Sequence, residues 1–274
     1  MLRRLLTTSA RQARLVGGSA RAPSRGLRIS AARLSTAATA PAPPAATAPP
    51  AAASDPFDEH ESLWAELERL RALPWYKSGF LALAGTFSKS QWQAAAGTDM
   101  FVSCMNQAAH SALFDADRGA VDTRLYTRFQ LQALHAWITH VRLRSEPPDE
   151  YGRPFKEMME KLWETTTKDM GKKAELGMIQ ILKNLKEMQL GWHGLCHNLD
   201  AAIAGEDADA RDRIAQLLLL NIYVDADGAR VEGAEASALW LADYVITQIN
   251  HHQNLPSEQV LRGAFTWAPP PPAT

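Results

Sequence analysis

Within five residues the sequence places His193, Cys196 and His197. On a helix His193 and His197 stand one turn apart with Cys196 beside them, and imidazole with thiolate suits a soft or borderline divalent metal. A closed tetrahedral site needs further ligands, and no second His/Cys cluster supplies them. The competing reading, a half-buried helix face carrying a core thiol, needs no such partner and is the one we adopt. His135 and His140 lie five apart and point in different directions. Other catalytic patterns fail on specific residues. There is no GxSxG nucleophile turn and no GxGxxG loop. Gly171-Lys172-Lys173 lacks the upstream glycine and the Ser/Thr of a phosphate-binding loop. None of the eight histidines follows a Glu by three residues, the spacing two-iron bundles use. Asp225-Ala-Asp227-Gly228 resembles a calcium loop, but its first and twelfth positions would be Tyr223 and Ala234, which offer no carboxylate, so it reads as a turn. No cofactor is expected.

Two patterns concern binding instead. Lys172, Lys183 and Lys186 would fall within about 60° on an unbroken helix, a stripe able to meet RNA phosphates. Glu175 and Glu187 flank it, which favours an ordinary solvated face. Five of the eight methionines, Met158, Met159, Met170, Met178 and Met188, fall in a 31-residue window. Methionine is flexible and polarizable, and fills cores or lines surfaces that accept varied apolar segments. Together with Trp163 these five are the candidate partner- or client-binding residues, on two neighbouring helices.

The elements that must position these residues are helices. Apolar residues recur at three- and four-residue steps, and no strand-like alternation of useful length occurs. Ser54 or Asp55 before Pro56 starts a helix that ends at Pro74. A short apolar segment, Phe80 to Leu83, follows. Trp92 and Met100 to Met105 suggest two short helices parted near Gly97. Asp122 can cap a long helix through Arg144, stopped by Pro147-Pro148. Gly152 and Pro154 open the next, through Met170, and a further helix spans Leu176 to Ile203. Segments near Asp209 to Tyr223 and Ala234 to Ile249 give the last two. Such seams need burial against one another. The expectation is an all-α fold: one domain of about seven or eight helices over residues 55–267.

The flanks differ in composition. Up to Ser54 there are eight arginines, no lysine and no acid, whereas from Asp55 onward 21 basic residues face 30 acidic ones. Leu2, Leu5, Leu6, Ala13 and Val16 share one side of a helical wheel, with Arg3, Arg4, Arg11 and Arg14 on the other. This pattern predicts a mitochondrial transit peptide over residues 1–34. Residues 35–54 are Ala/Pro-rich and predict an extended linker; residues 268–274 predict a second solvated tail. No apolar run approaches the ~20 residues of a membrane span, and two cysteines cannot build a disulfide scaffold.

The segment Asp122 to Arg144, with Leu134-His135-Ala136-Trp137 leading to Val141-Arg142-Leu143, resembles the ubiquinol–cytochrome c chaperone family. Further matches follow in order: Leu162-Trp163-Glu164 into Asp169-Met170-Gly171, Ala201-Ala202-Ile203 into Gly205-Glu206-Asp207, Leu241-Ala242-Asp243-Tyr244-Val245 into Gln248-Ile249, and Gly263 to Trp267. The resemblance covers about Gly97 to Trp267. It implies an all-helical, non-enzymatic chaperone of the mitochondrial matrix, peripheral at the inner membrane. Family members bind newly made cytochrome b near the mitoribosome, together with a small helical partner subunit, for respiratory complex III assembly. Its signature residues here, Leu134, His135, Trp137, Arg142, Glu164, Tyr244 and Trp267, are expected to serve structure. Two other classes stay open: a mitochondrial RNA- or ribosome-binding factor, and a metal-dependent helical enzyme using His193 and His197.

Overall fold

The structure, a computed structural model, describes residues 61–174, 176–205 and 207–272. The expected transit peptide (1–34), the linker (35–54) and the expected helix start at Ser54–Pro56 lie outside the described residues. The described chain is all-helical: α1 Leu63–Arg71, α2 Trp75–Leu83, α3 Lys89–Ala108, α4 Leu125–Leu143, α5 Pro148–Lys172, α6 Met178–Ala204, α7 Asp207–Asn221, α8 Glu235–Gln253 and α9 Ser257–Arg262. Among the described residues the only β pairing is an isolated bridge between Val224 and Arg230. It closes the turn at Asp225, whose Oδ1 accepts from the backbone N–H groups of Asp227 and Ala229.

Helix α4 is the centre of the packing. Leu131, Ala133, Leu134, Ala136, Trp137, Ile138 and Leu143 are all buried, and α3, α5 and α8 lie against it. Helix α8 packs on α7, α7 on α6, and α6 on α5. Removing those apolar side chains from water, at about 25 cal/mol per Å², is what offsets the ordering of the chain.

Residues 89–108 form one helix where two were expected, and Gly97 is the reason. A Cβ there would sit 2.5 Å from the Pro154 carbonyl oxygen and 2.6 Å from Glu157 Cβ. The glycine marks the crossing of α3 and α5, not a break. Helix α5 likewise begins earlier than expected, with Pro148 in its first turn and Pro154 inside it. Pro154 has no N–H to give the carbonyl of Glu150, which accepts instead from Gln93 Nε2 of α3 at 3.2 Å. Helix α4 begins at Leu125, without a side-chain cap. Asp122, the expected cap, accepts from the Arg124 N–H and pairs with its guanidinium, shaping the preceding turn.

Helix α1 buries no residue fully, yet it is tied down. Asp99 of α3 accepts from Ser62 Oγ (2.7 Å) and from the backbone N–H groups of Leu63 (2.9 Å) and Trp64 (3.0 Å), supplying in trans the acceptors a helix N-terminus needs. Trp64 packs on Trp92 with ring centroids 4.7 Å apart.

The C-terminal segment departs from the expected solvated tail. Gly263, in the left-handed region at φ 73°, ends α9 where a Cβ would meet the Ala96 carbonyl at 2.7 Å. The chain then runs back across α8. Gln248 bonds both backbone groups of Ala268, at 2.8 and 2.9 Å. Trp240 Nε1 donates to the Pro272 carbonyl. A proline-rich strand makes no internal hydrogen bonds, so its carbonyls are free for such donors.

Candidate interaction surfaces

The signature residues on α4 and α8 meet in the interior. Gln107 Nε2 donates to the Tyr244 hydroxyl (2.8 Å), which lies 2.7 Å from His135 Nε2, while His135 Nδ1 lies 2.8 Å from the Leu131 carbonyl. A carbonyl only accepts, so Nδ1 carries the proton and Nε2 accepts from Tyr244. Burial holds His135 down to about 4 and pushes the Tyr244 phenol up. Trp267 stands edge-on to His135 at 5.0 Å and donates to Ser103 Oγ. Trp137 Nε1 donates to Asp200 Oδ1, and Arg144 clasps the same carboxylate through both terminal nitrogens. Buried Arg142 reaches Glu146, Ser145 and the Leu255 carbonyl. Leu134 is core. Glu164 alone of the set is exposed, bonded to Lys168 one turn on. These contacts fasten α4 to α3, α6, α8 and the start of α9.

The methionines divide. Met158, Met159, Met170 and Met188 are buried, and Trp163 is half-buried against Phe129 at 5.4 Å. The open methionine groove expected on α5 and α6 is therefore corrected: Met158, Leu162, Thr166 and Met170 form the inward stripe of α5, and Met188 falls in the inward stripe of α6 with Ile181, Trp192, Leu195 and Leu199. Only Met178 is exposed, at 70%. It belongs to a different face of α6, with Ile179 (85%), Leu182 and Leu190, all exposed. A helical wheel begun at Met178 puts these on a different side of α6 from the Met188 stripe, and packing decides which side is covered.

A second outward apolar set lies on α2: Trp75, Tyr76, Phe80 and Leu83. Sequence reasoning registered only the segment Phe80 to Leu83 and gave it no role.

The lysines and histidines take ordinary positions. Lys172 ends α5, while Lys183 and Lys186 lie on α6. Because α5 ends at Lys172 and α6 begins at Met178, the single stripe that an unbroken helix would give is lost. His193 and His197 are exposed and Cys196 is half-buried on α6; burial pushes the Cys196 thiol well above its usual range. Among the described residues no three His, Cys, Asp or Glu side chains converge to hold a metal ion, and no helix is long and apolar enough to cross a membrane.

Comparison with known proteins agrees with this architecture. No curated protein matches the chain. Its fold is similar to the crystal structure of the Cbp3 homolog from Brucella abortus, with a TM-score of 0.56 at 17% identity, covering 69% of this chain and 97% of that one. The family model for ubiquinol-cytochrome C chaperone matches residues 117–267. That match ends where the sequence resemblance ends and begins some way after Gly97. It covers more than half of the sequence, including all of α4 to α9: the chain belongs to the ubiquinol–cytochrome c chaperone family.

Proposed function

We propose that the protein is a non-enzymatic assembly chaperone that holds newly made cytochrome b for respiratory complex III, in the mitochondrial matrix and peripheral to the inner membrane. The observation that carries this reading is the family match over residues 117–267, in a chain whose buried signature polar groups bond to partners within the fold. His135, Trp137, Arg142, Tyr244 and Trp267 all have internal hydrogen-bond partners.

Holding a multispan client requires accessible apolar surface and modest affinity, since unshielded membrane segments aggregate. The outward face of α6 offers this in Met178, Ile179, Leu182 and Leu190. Exposed Lys183 and Lys186 border it and suit an acidic partner subunit or the phosphates of a mitoribosome.

Affinity purification of the full chain from mitochondria is the test. Recovery of unassembled cytochrome b with a small helical subunit is the expected result, reduced by Ile179→Ser combined with Leu182→Ser. Recovery of neither from correctly folded protein overturns the reading. An RNA-binding role would instead show steep salt dependence that weakens when Lys183 and Lys186 are neutralised.

A further inference from the structure

Helix α2 is amphipathic in the reverse sense. Stepping about 100° per residue from Trp75, the residues Trp75, Gly79, Leu83, Tyr76 and Phe80 fall within roughly 140° of arc. That arc faces outward: Trp75 is 84%, Phe80 71% and Leu83 88% exposed, and no residue of α2 is buried. Ser78 and Leu81, on the opposite side, are the half-buried ones. An isolated apolar residue at a surface is ordinary, but a contiguous aromatic face turned to solvent marks an interaction site.

The helix is held in place from both ends. Before it, α1 is fixed to Asp99 and Trp92. After it, Ser88 caps α3 by accepting from the Gln91 N–H. Its outward face is thus presented by anchored neighbours.

Charge indicates what covers it. From Arg69 to Thr98 the sequence carries four basic residues (Arg69, Arg71, Lys77 and Lys89) and no acid, within a body that is otherwise strongly acidic. Arg69 pairs with Glu61, and Lys89 with Asp149 and Glu150. Exposed Lys77, on α2 beside the apolar arc, and exposed Arg71, at the end of α1 four residues before Trp75, have no ion-pair partner among the described residues. Trp and Tyr at the edge of an apolar face, with basic side chains beside it, are the composition of a helix lying in a lipid interface.

We infer that α2 docks on the surface of an anionic bilayer, with Trp75, Tyr76, Phe80 and Leu83 entering the headgroup–acyl boundary and Arg71 and Lys77 meeting lipid phosphates. The inference rests on the membrane-peripheral part of the reading above, and supplies the element and the lipid chemistry. It concerns residues outside the segment matched by the family model.

The full chain is mixed with vesicles of phosphatidylcholine alone, or of equal parts phosphatidylcholine and phosphatidylglycerol with the phosphatidylcholine brominated on its acyl chains. Co-sedimentation and tryptophan emission are followed. The arginine-rich N-terminus contains no tryptophan, so its own attraction to anionic lipid causes no quenching. Strong quenching by the anionic vesicles is expected. Trp75→Phe should abolish most of the quenching while sedimentation persists. The triple variant Tyr76→Ser, Phe80→Ser, Leu83→Ser should weaken the quenching at least tenfold in vesicle concentration, with helicity unchanged.

Sedimentation without quenching, or quenching that survives Trp75→Phe, overturns the inference. Self-association through the α2 face, or loss of cytochrome b capture in the triple variant without any effect on vesicles, overturns it in favour of a second copy or the client. Cytochrome b capture is read separately. Capture without α2-dependent quenching sinks the lipid docking alone, and quenching without capture sinks the chaperone reading alone.

Discussion

The hydroxyl of Tyr244 donates to Nε2 of His135 across 2.7 Å, joining α8 to α4 between residues 109 apart in the chain. Gln107 donates to the same hydroxyl, and His135 passes the chain of bonds on to the Leu131 carbonyl. Three helices share one line of hydrogen bonds, with no water needed to complete it.

Tyr244→Phe keeps the ring and deletes the shared atom. It leaves His135 Nε2 and one Gln107 N–H without their partner. Because His135 and Tyr244 are fully buried, a loss of about 1–3 kcal/mol is expected, measured as a lower urea midpoint at unchanged slope. A change below the fitting error would show that the line contributes nothing net.

Acid should destabilise the fold before most carboxylates titrate. Burial holds His135 and half-buried His140 down to about 4, and His252 down to about 3, against 6.5 when unfolded. These imidazoles are neutral when folded, and the unfolded chain binds more protons below pH 6.5. Stability is then fully present above pH 6.5 and falls as pH drops towards 4, by on the order of 3 kcal/mol for His135. Urea titrations across that range check the sign; stability constant from pH 7 to 4.5 would refute it.

Met158→Ser and Met188→Ser should unfold the domain rather than spare it. Both side chains are buried, so each change opens a cavity and buries a hydroxyl, at a cost of about 2–5 kcal/mol. Ile179→Ser and Leu182→Ser, on the exposed side of α6, should stay within about 0.5 kcal/mol of the parent. Thermal melts of the four variants separate the two faces.

Gly97→Ala tests the crossing of α3 and α5. Alanine is favoured over glycine inside a helix by about 1 kcal/mol. A Cβ 2.5 Å from the Pro154 carbonyl oxygen forces the backbones apart, and overpacking of this kind costs about 1–3 kcal/mol. A net loss of stability is expected by calorimetry; a net gain would mean that the two helices can separate freely.

The helical class, the seams of α4, α5 and α6 and the chaperone family were legible in the sequence, because a 3.6-residue apolar period and an ordered set of short motifs are local properties of the string. Gly97, Pro154 and Pro269 to Pro272 misled as helix break, helix start and free tail. Each is a local breaker whose cost is met by a partner distant in sequence: a crossing helix at Gly97, the Gln93 amide near Pro154, and donors on α8 along the tail. Which methionines face inward was also undecided locally. A residue type fixes its attraction to apolar surroundings, but only the packing of α5 and α6 decides that Met158 and Met188 are covered while Met178, Ile179 and Leu182 are not. The outward turn of the aromatic arc on α2 belongs to the same class: periodicity defines an apolar face, and tertiary structure alone decides whether another helix lies against it.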